Sequence, residues 1–375
     1  MDGLVTLSFS WPLAIAPGKL VLVASTLLLT LMLAMVLTPL AMRLAHRAGV
    51  LDHPHDARRV HSTPTPRWGG LAMCAAFILT VLLVMPLRAK FFPETLGHGG
   101  VIFNSRILGI VICGALMTAL GALDDKFSLP AKVKLLAQVL IAILLTLFGV
   151  RMVVAFNIPL MDNQYYQLPL WREAIGYLFT VIWVVAVTNT INLIDGLDGL
   201  AAGVSGLAAA TFVAIGILIK GTLGEAMLAA AVVGACLGFL RYNFHPARVF
   251  MGDAGSHFLG FTIAALAILQ NWKVAAAITL AIPMLILAVP IFDTVFAIIR
   301  RLRRGQPIFS ADKGHLHHRL LNMGFGQRKV VLSIYLITLL GCLLALLLAH
   351  ARLRPYLVPL APKLPAAQQQ PRTGT

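Results

Sequence analysis

The chain has 375 residues, 59% of them hydrophobic and only 12% charged, where soluble domains carry about 25% charged residues. That excludes a soluble globular domain and fits a polytopic helical membrane protein. The formal net charge of +16 would suit nucleic acid in a soluble protein. On a chain this apolar it reads as membrane orientation and contact with anionic headgroups, so no nucleic-acid partner is expected.

From the N-terminus, apolar runs of roughly 20 residues predict about ten transmembrane helices. They cover 20–40, 69–87, 107–123, 133–150, 174–191, 200–219, 226–240, 258–269, 274–299 and 330–348. Residues 1–350 therefore read as one transmembrane domain of all-α class, and the Pro/Gln-rich 351–375 as a disordered tail. Pro283 and Pro290 are expected to kink the ninth span. The polar, aromatic stretch 151–172 has room for a short hairpin. Cys74, Cys113, Cys236 and Cys342 sit singly in apolar runs, so they read as packing residues and not as a disulfide frame or zinc site.

Ten spans put alternate loops on one side. Loops 43–67, 124–125, 192–198, 241–256 and 300–329 share a side, and with it most of the dense basic residues, including Arg58, Arg59, Arg67, Arg300, Arg301, Arg303 and Arg304. Basic residues bias short loops inward. That side is expected to be cytoplasmic, with both termini outside and a catalytic cleft on the cytoplasmic face. Every acid-rich or histidine-rich cluster falls there.

The densest cluster is 189–200, between two runs long enough to cross a bilayer. Asn189, Asn192, Asp195 and Asp198 recur every third residue, so neighbours in the series share a helix face. Acids and amides are costly in hydrocarbon and point to a site. Asp124 and Asp125 are adjacent carboxylates that need a counter-charge: Lys126, Lys132, Lys134 or a divalent metal. Asp253 stands between Gly252 and Gly255 at a span start, where a bend exposes N–H groups suited to phosphate. His315, His317 and His318 follow a run of arginines, a pairing suited to phosphate binding or acid–base work. Carboxylates without thiolates favour a hard, oxygen-loving cation, most simply Mg²⁺, with Mn²⁺ as a substitute. Such a set points to phosphoryl transfer at the membrane surface.

Five motifs in one order carry a resemblance: 58–70, 121–125, 189–203, 243–255 and 315–318. The chain resembles the polyprenyl-phosphate N-acetylhexosamine-1-phosphate transferases, which include the bacterial enzymes that start O-antigen and teichoic acid synthesis and the muramoyl-pentapeptide translocase. The resemblance implies transfer of a sugar 1-phosphate from a UDP-amino sugar to undecaprenyl phosphate, with release of UMP, at the bacterial inner membrane. It implies catalytic roles for Asp124, Asp125, His315, His317 and His318. It implies metal ligation by Asp125, Asp195 and Asp253. Asn192 would lie beside the polyprenyl phosphate, and Gly196, Leu197, Asp198, Asn243 and Phe250 in the uridine site, with Phe250 stacking on the base. His61, Arg67 and Arg304 would also contact substrate.

The histidine motif reads His-Leu-His-His-Arg and the first motif Arg-Arg-Val-His. Both are similar to the N-acetylglucosaminyl branch, which makes UDP-N-acetylglucosamine the expected donor. Another UDP-N-acetylhexosamine or a UDP-muramoyl-pentapeptide is the alternative, and a transporter with an acid-lined path a more distant one. The lipid bilayer is the remaining partner, and a homodimer is left open.

Overall fold

A computed structural model of the chain describes residues 17–52, 64–93, 104–152, 170–218, 223–269, 282–303, 305 and 316–357. The architecture is a helical bundle. In chain order come α1 (Pro17–Ala48), a two-stranded antiparallel ladder of β1 (Leu51–Asp52) and β2 (Thr65–Pro66), α2 (Gly69–Phe91), α3 (Ser105–Phe127), α4 (Ala131–Leu147) and α5 (Leu170–Ile194). Then follow α6 (Leu200–Leu218), α7 (Leu223–Asn243), α8 (Gly252–Leu269), α9 (Ala288–Arg303), α10 (Leu316–Asn322) and α11 (Gln327–Leu357). Among the described residues, eight helices are long and apolar enough to span a bilayer: α1, α2, α3, α5, α6, α7, α8 and α11. Apolar α4, with 17 residues, is at the short limit for a crossing.

Spacing of polar residues explains the departures from the expected spans. Asp124 and Asp125 do not end the third helix but lie in its last turn, because Ser128 closes it in the left-handed region at φ 51° with its N–H on the Asp124 carbonyl. The glycine-flanked Asp253 begins α8 instead of preceding it. The single span expected over 274–299 is divided. Residues 270–281 lie outside the described residues, 282–286 are helical, and the helix breaks at Leu287 before α9. Pro290 lacks the N–H that would continue the ladder to Ile286, so the proline expected to kink the helix coincides with a break. α9 is amphipathic: Phe292, Val295, Phe296, Ile299 and Leu302 are exposed along one side, while Pro290, Ala297 and Arg301 are buried. α11 continues to Leu357, past the expected end of the domain at 350, since Ala351, Arg352, Leu353 and Arg354 are good helix formers. The hairpin considered at 151–172 falls mostly outside the described residues. The strand pair that is present closes instead across 51–66, which the all-α reading did not foresee.

The centre is made of small residues. α7 and α8 are buried along nearly their whole length. α1 makes its widest contact with α7, where Gly234 and Gly238 let the backbone of α1 approach: a Cβ on Gly234 would meet the Leu27 carbonyl, Thr30 and Leu31, and one on Gly238 the Leu31 carbonyl and Ala34. Tyr242 adds a hydrogen bond to the Met35 carbonyl at 3.1 Å. Close approach of this kind drives helix association where lipid offers no hydrophobic contrast. Gly234→Leu should therefore overpack the seam and destabilise the protein by about 1–3 kcal/mol, seen as a lower melting temperature of the detergent-purified protein. An unchanged melting temperature would show that α1 and α7 are not pressed together there.

Candidate active site

Four helix ends and one turn build the site. Asp124 is 7% exposed. One of its oxygens accepts the Leu129 N–H at 2.7 Å and the other pairs with the Lys134 ammonium at 2.6 Å. Lys134 stands one turn into α4, and its ammonium also lies 3.5 Å from Asp253 at the start of α8. The other oxygen of Asp253 accepts from Asn192 of α5 at 2.9 Å, and the same amide reaches Ser256 Oγ at 2.8 Å. Asp125 sits at the end of α8: its two oxygens accept the N–H groups of Asp253 at 2.9 Å and Ala254 at 3.1 Å. These are orphan donors of a helix N-terminus. Gly252, at φ +67°, makes the turn into α8, and a Cβ there would strike the Arg67 carbonyl and Asp125.

The strand pair delivers Arg67 to this cluster. Gly69 and Gly70 donate to the carbonyls of Phe250 and Met251, and Phe250 donates to the Pro66 carbonyl, so 66–70 and 250–251 are laced together. Trp68 Nε1 adds a bond to the Ala122 carbonyl at 3.3 Å. Asp195, in the turn after α5, is half-buried. Burial, then the negative charges of Asp253 and Asp125, push its carboxyl up to about 8, against the opposing pull of Arg67.

A second knot lies beside the first. Asp198, 3% exposed, accepts from His245 Nδ1 at 2.7 Å and from the Ala247 N–H at 3.1 Å. Asn243 accepts from Gly199 N–H at 3.0 Å and donates to the Val249 carbonyl at 2.9 Å. α11 closes this knot: Tyr335 donates to the Gly199 carbonyl at 2.6 Å, and Arg328 to the His245 carbonyl at 3.1 and 3.2 Å. Asp198 and Asn243 thus brace the two loops that carry Leu197 and Phe250. Gly196 is exposed at the tip of the turn, Leu197 is buried, and Phe250 is half-buried.

Of the residues singled out in the sequence, Asp124, Asp125, Asn192 and Asp253 share one hydrogen-bonded cluster, with Asp195 and Arg67 in electrostatic reach. His61, Arg304 and His315 lie outside the described residues. His317 and His318 are on α10, and their side chains are likewise outside them. α10 itself is tied to α9 by the Leu316 N–H donating to Asp293 at 2.8 Å. Of the three lysines named as counter-charges, Lys134 is the one paired with Asp124. Lys126 turns instead over the Phe127 ring, 5.4 Å from its centroid. Ser256, His245, Tyr335 and Arg328 carry no sequence signal of their own, because their partners lie far away in the chain.

Oxygen donors, a lysine and an arginine gathered at the ends of membrane spans define a membrane-embedded enzyme acting on phosphorylated substrates. The model of glycosyl transferase family 4 matches residues 107–271. The chain is 39% identical to a probable undecaprenyl-phosphate N-acetylglucosaminyl 1-phosphate transferase of Bacillus subtilis (strain 168), over 89% of this chain and 87% of the relative. It is 38% identical to a decaprenyl-phosphate N-acetylglucosaminephosphotransferase of Mycobacterium leprae (strain TN), over 78% and 75%. It is 30% identical to an undecaprenyl-phosphate alpha-N-acetylglucosaminyl 1-phosphate transferase of Escherichia coli O157:H7, over 81% and 77%. The chain belongs to glycosyl transferase family 4.

The raised carboxyl of Asp195 makes a prediction about pH. An unfolded aspartate titrates near 3.9, so the folded chain binds this proton more tightly. Its contribution to stability is full below about pH 4 and is lost as pH rises toward 8. Asp195→Asn should flatten the decline in melting temperature between about pH 5 and 8, measured without divalent cations, and should melt no lower than the parent at the upper end. An equal decline in both proteins would show Asp195 ionised throughout.

Proposed function

We propose that the chain transfers N-acetylglucosamine 1-phosphate from UDP-N-acetylglucosamine to undecaprenyl phosphate, releasing UMP, at the cytoplasmic face of the bacterial inner membrane. It is a phosphotransferase acting on a polyprenyl phosphate. The observation that carries the reading is the convergence of Asp124, Asp253, Asn192 and Lys134 from four helices at one end of the bundle, in a chain whose relatives carry these names. An oxygen of the acceptor phosphate attacks the β-phosphorus of the donor. The bond from that phosphorus to the bridging oxygen breaks, and the electron pair leaves with UMP. The acids lie at helix ends and not at the midplane, which suits a reaction at headgroup level better than a transport path.

The donor set fits a divalent cation. Mg²⁺ keeps waters and binds through one or two carboxylates plus substrate phosphates, so it needs no complete cage of protein ligands. Asp124, Asp125, Asp195 and Asp253 are gathered about Lys134 and Arg67, so that once a cation draws the proton from Asp195 two negative charges are left, the complement of one divalent ion. Asp253 and Asp195 would hold it, and Asp125 spends both oxygens on α8. Bound there, Mg²⁺ would offset the charge of the pyrophosphate. Lys134 and Arg67 keep the acids from repelling the acceptor phosphate. Phe250, on the loop braced by Asn243, offers a ring to the uracil. The product would be the lipid-linked sugar that starts a cell-surface polysaccharide.

Two measurements test this. Purified protein given UDP-N-acetylglucosamine, undecaprenyl phosphate and Mg²⁺ should release UMP, and Asp253→Asn should reduce that release by about 10²-fold or more. Absence of UMP release by the parent overturns the reaction, and near-full activity of the variant overturns the placement of the cation. Topology is checked by single cysteines at Lys126 and Pro93, at opposite ends of the bundle; the four natural cysteines are buried. The cysteine at position 93 should react with an impermeant reagent in spheroplasts, and that at position 126 only after the membrane is opened. The reverse pattern would put the cleft outside.

A further inference from the structure

One helical turn deeper than the acid–lysine cluster lies a second polar layer, made of Asn189, Gln138 and His257. Each member stands beneath a member of the first layer on the same helix. Asn189 precedes Asn192 by three residues on α5, Gln138 follows Lys134 by four on α4, and His257 follows Asp253 by four on α8. Residues three or four apart share a helix face. The layer is hydrogen-bonded across all three helices: Asn189 Nδ2 donates to Gln138 Oε1 at 2.7 Å, and Gln138 Nε2 meets His257 Nε2 at 3.3 Å.

The chain of bonds has one direction. Asn189 Nδ2 also donates to the Val185 carbonyl at 2.8 Å, which fixes that amide. Gln138 must then offer its oxygen to Asn189 and its N–H to the histidine. His257 therefore accepts at Nε2 and carries its proton on Nδ1, as a neutral ring. Gln138 and His257 are each 1% exposed, and His257 Nδ1 has no partner among the described residues. A buried donor left in that state is a cost to stability that an apolar side chain would avoid. Polar residues kept at such depth in a membrane bundle mark function.

We propose that His257, acting through Gln138 and Asn189, is a positioning residue for the transfer reaction. The relay holds α4, α5 and α8 in the register that lets Lys134 and Asn192 meet Asp253. It is a neutral template under a charged site. The inference rests on the transferase reading, which turnover by the parent protein checks separately in the same assay.

The test compares full-length variants in detergent or nanodiscs with UDP-N-acetylglucosamine, undecaprenyl phosphate and Mg²⁺. His257→Leu removes the acceptor. It should lower kcat about 10- to 100-fold, as loss of a supporting hydrogen bond does elsewhere. KM for both substrates should stay within about 3-fold, and the melting temperature should change little, because the orphaned Nδ1–H that is removed is replaced by an orphaned Gln138 N–H. His257→Gln restores an amide oxygen near the position of Nε2, without a titratable ring, and should recover kcat to within about 3-fold of the parent. If His257→Leu does not purify as a single species, Gln138→Met breaks the same link and should give the same signature. Parent-like kcat in the broken relay overturns the proposal. So does a melting temperature that falls together with kcat, which marks a packing residue. So does a glutamine variant as slow as the leucine variant, which would make the ring itself the active group.

Discussion

The arrangement of this enzyme depends on one carboxylate holding one helix end. Asp125, from the last turn of α3, receives the first N–H groups of α8 on both its oxygens. A helix N-terminus has donors without partners and a partial positive charge. Supplying both needs from a different helix fixes α8 in depth and rotation. That placement sets Asp253, which in turn meets Lys134 and Asn192. Asp124, one residue earlier, faces Lys134 instead. The adjacent acids therefore divide the work: one faces a helix end, the other the ammonium of Lys134. Their neighbours are shaped around this contact, since Gly121 admits the Asp253 carbonyl and Gly70 admits the backbone at Gly255.

Much of this was legible in the sequence, and the reason is chemical. Acids and amides are so costly in hydrocarbon that their positions between apolar runs mark a site before any coordinates exist. The motif order at Asp124, Asn192 and Asp253 was enough to indicate the family. What could not be read is pairing. Lys126, Lys132 and Lys134 look alike in one dimension, and only the turn through Ser128 brings the last of them back to Asp124. His245 gives no signal, because its partner Asp198 is 47 residues away. The break at Leu287 was half-visible: the prolines were evident, but a kink and a full interruption leave the same trace in hydropathy. The strand pair at 51–66 is too short for any periodicity to show.

Function and stability pull apart at this site. A carboxyl at Asp195 whose proton is held to about 8 is a group that the metal-free fold would rather keep neutral. Behind it α7 and α8 are packed along nearly their whole length with small and apolar side chains. The acid–lysine cluster thus stands on the most deeply buried part of the bundle, and the loops at Gly199 and His245 are tied to α11 by Tyr335 and Arg328.

The glycine seam between α1 and α7 bears on how the protein is made. α1 is the first described helix to leave the ribosome, yet its widest surface is for the seventh. At about 5–20 residues per second, the stretch between the end of α1 at Ala48 and the start of α7 at Leu223 takes roughly 10–35 s to synthesise. α2 can pack against α1 early, but through that interval the face that α7 will cover, with Thr26, Thr30 and Thr38 buried on it, must rest among lipids or against the insertion machinery. Each of these hydroxyls bonds to the carbonyl four residues back in its own helix. The helix is therefore polar enough to seat a partner but self-satisfied enough to stand in the bilayer with that face uncovered until α7 arrives.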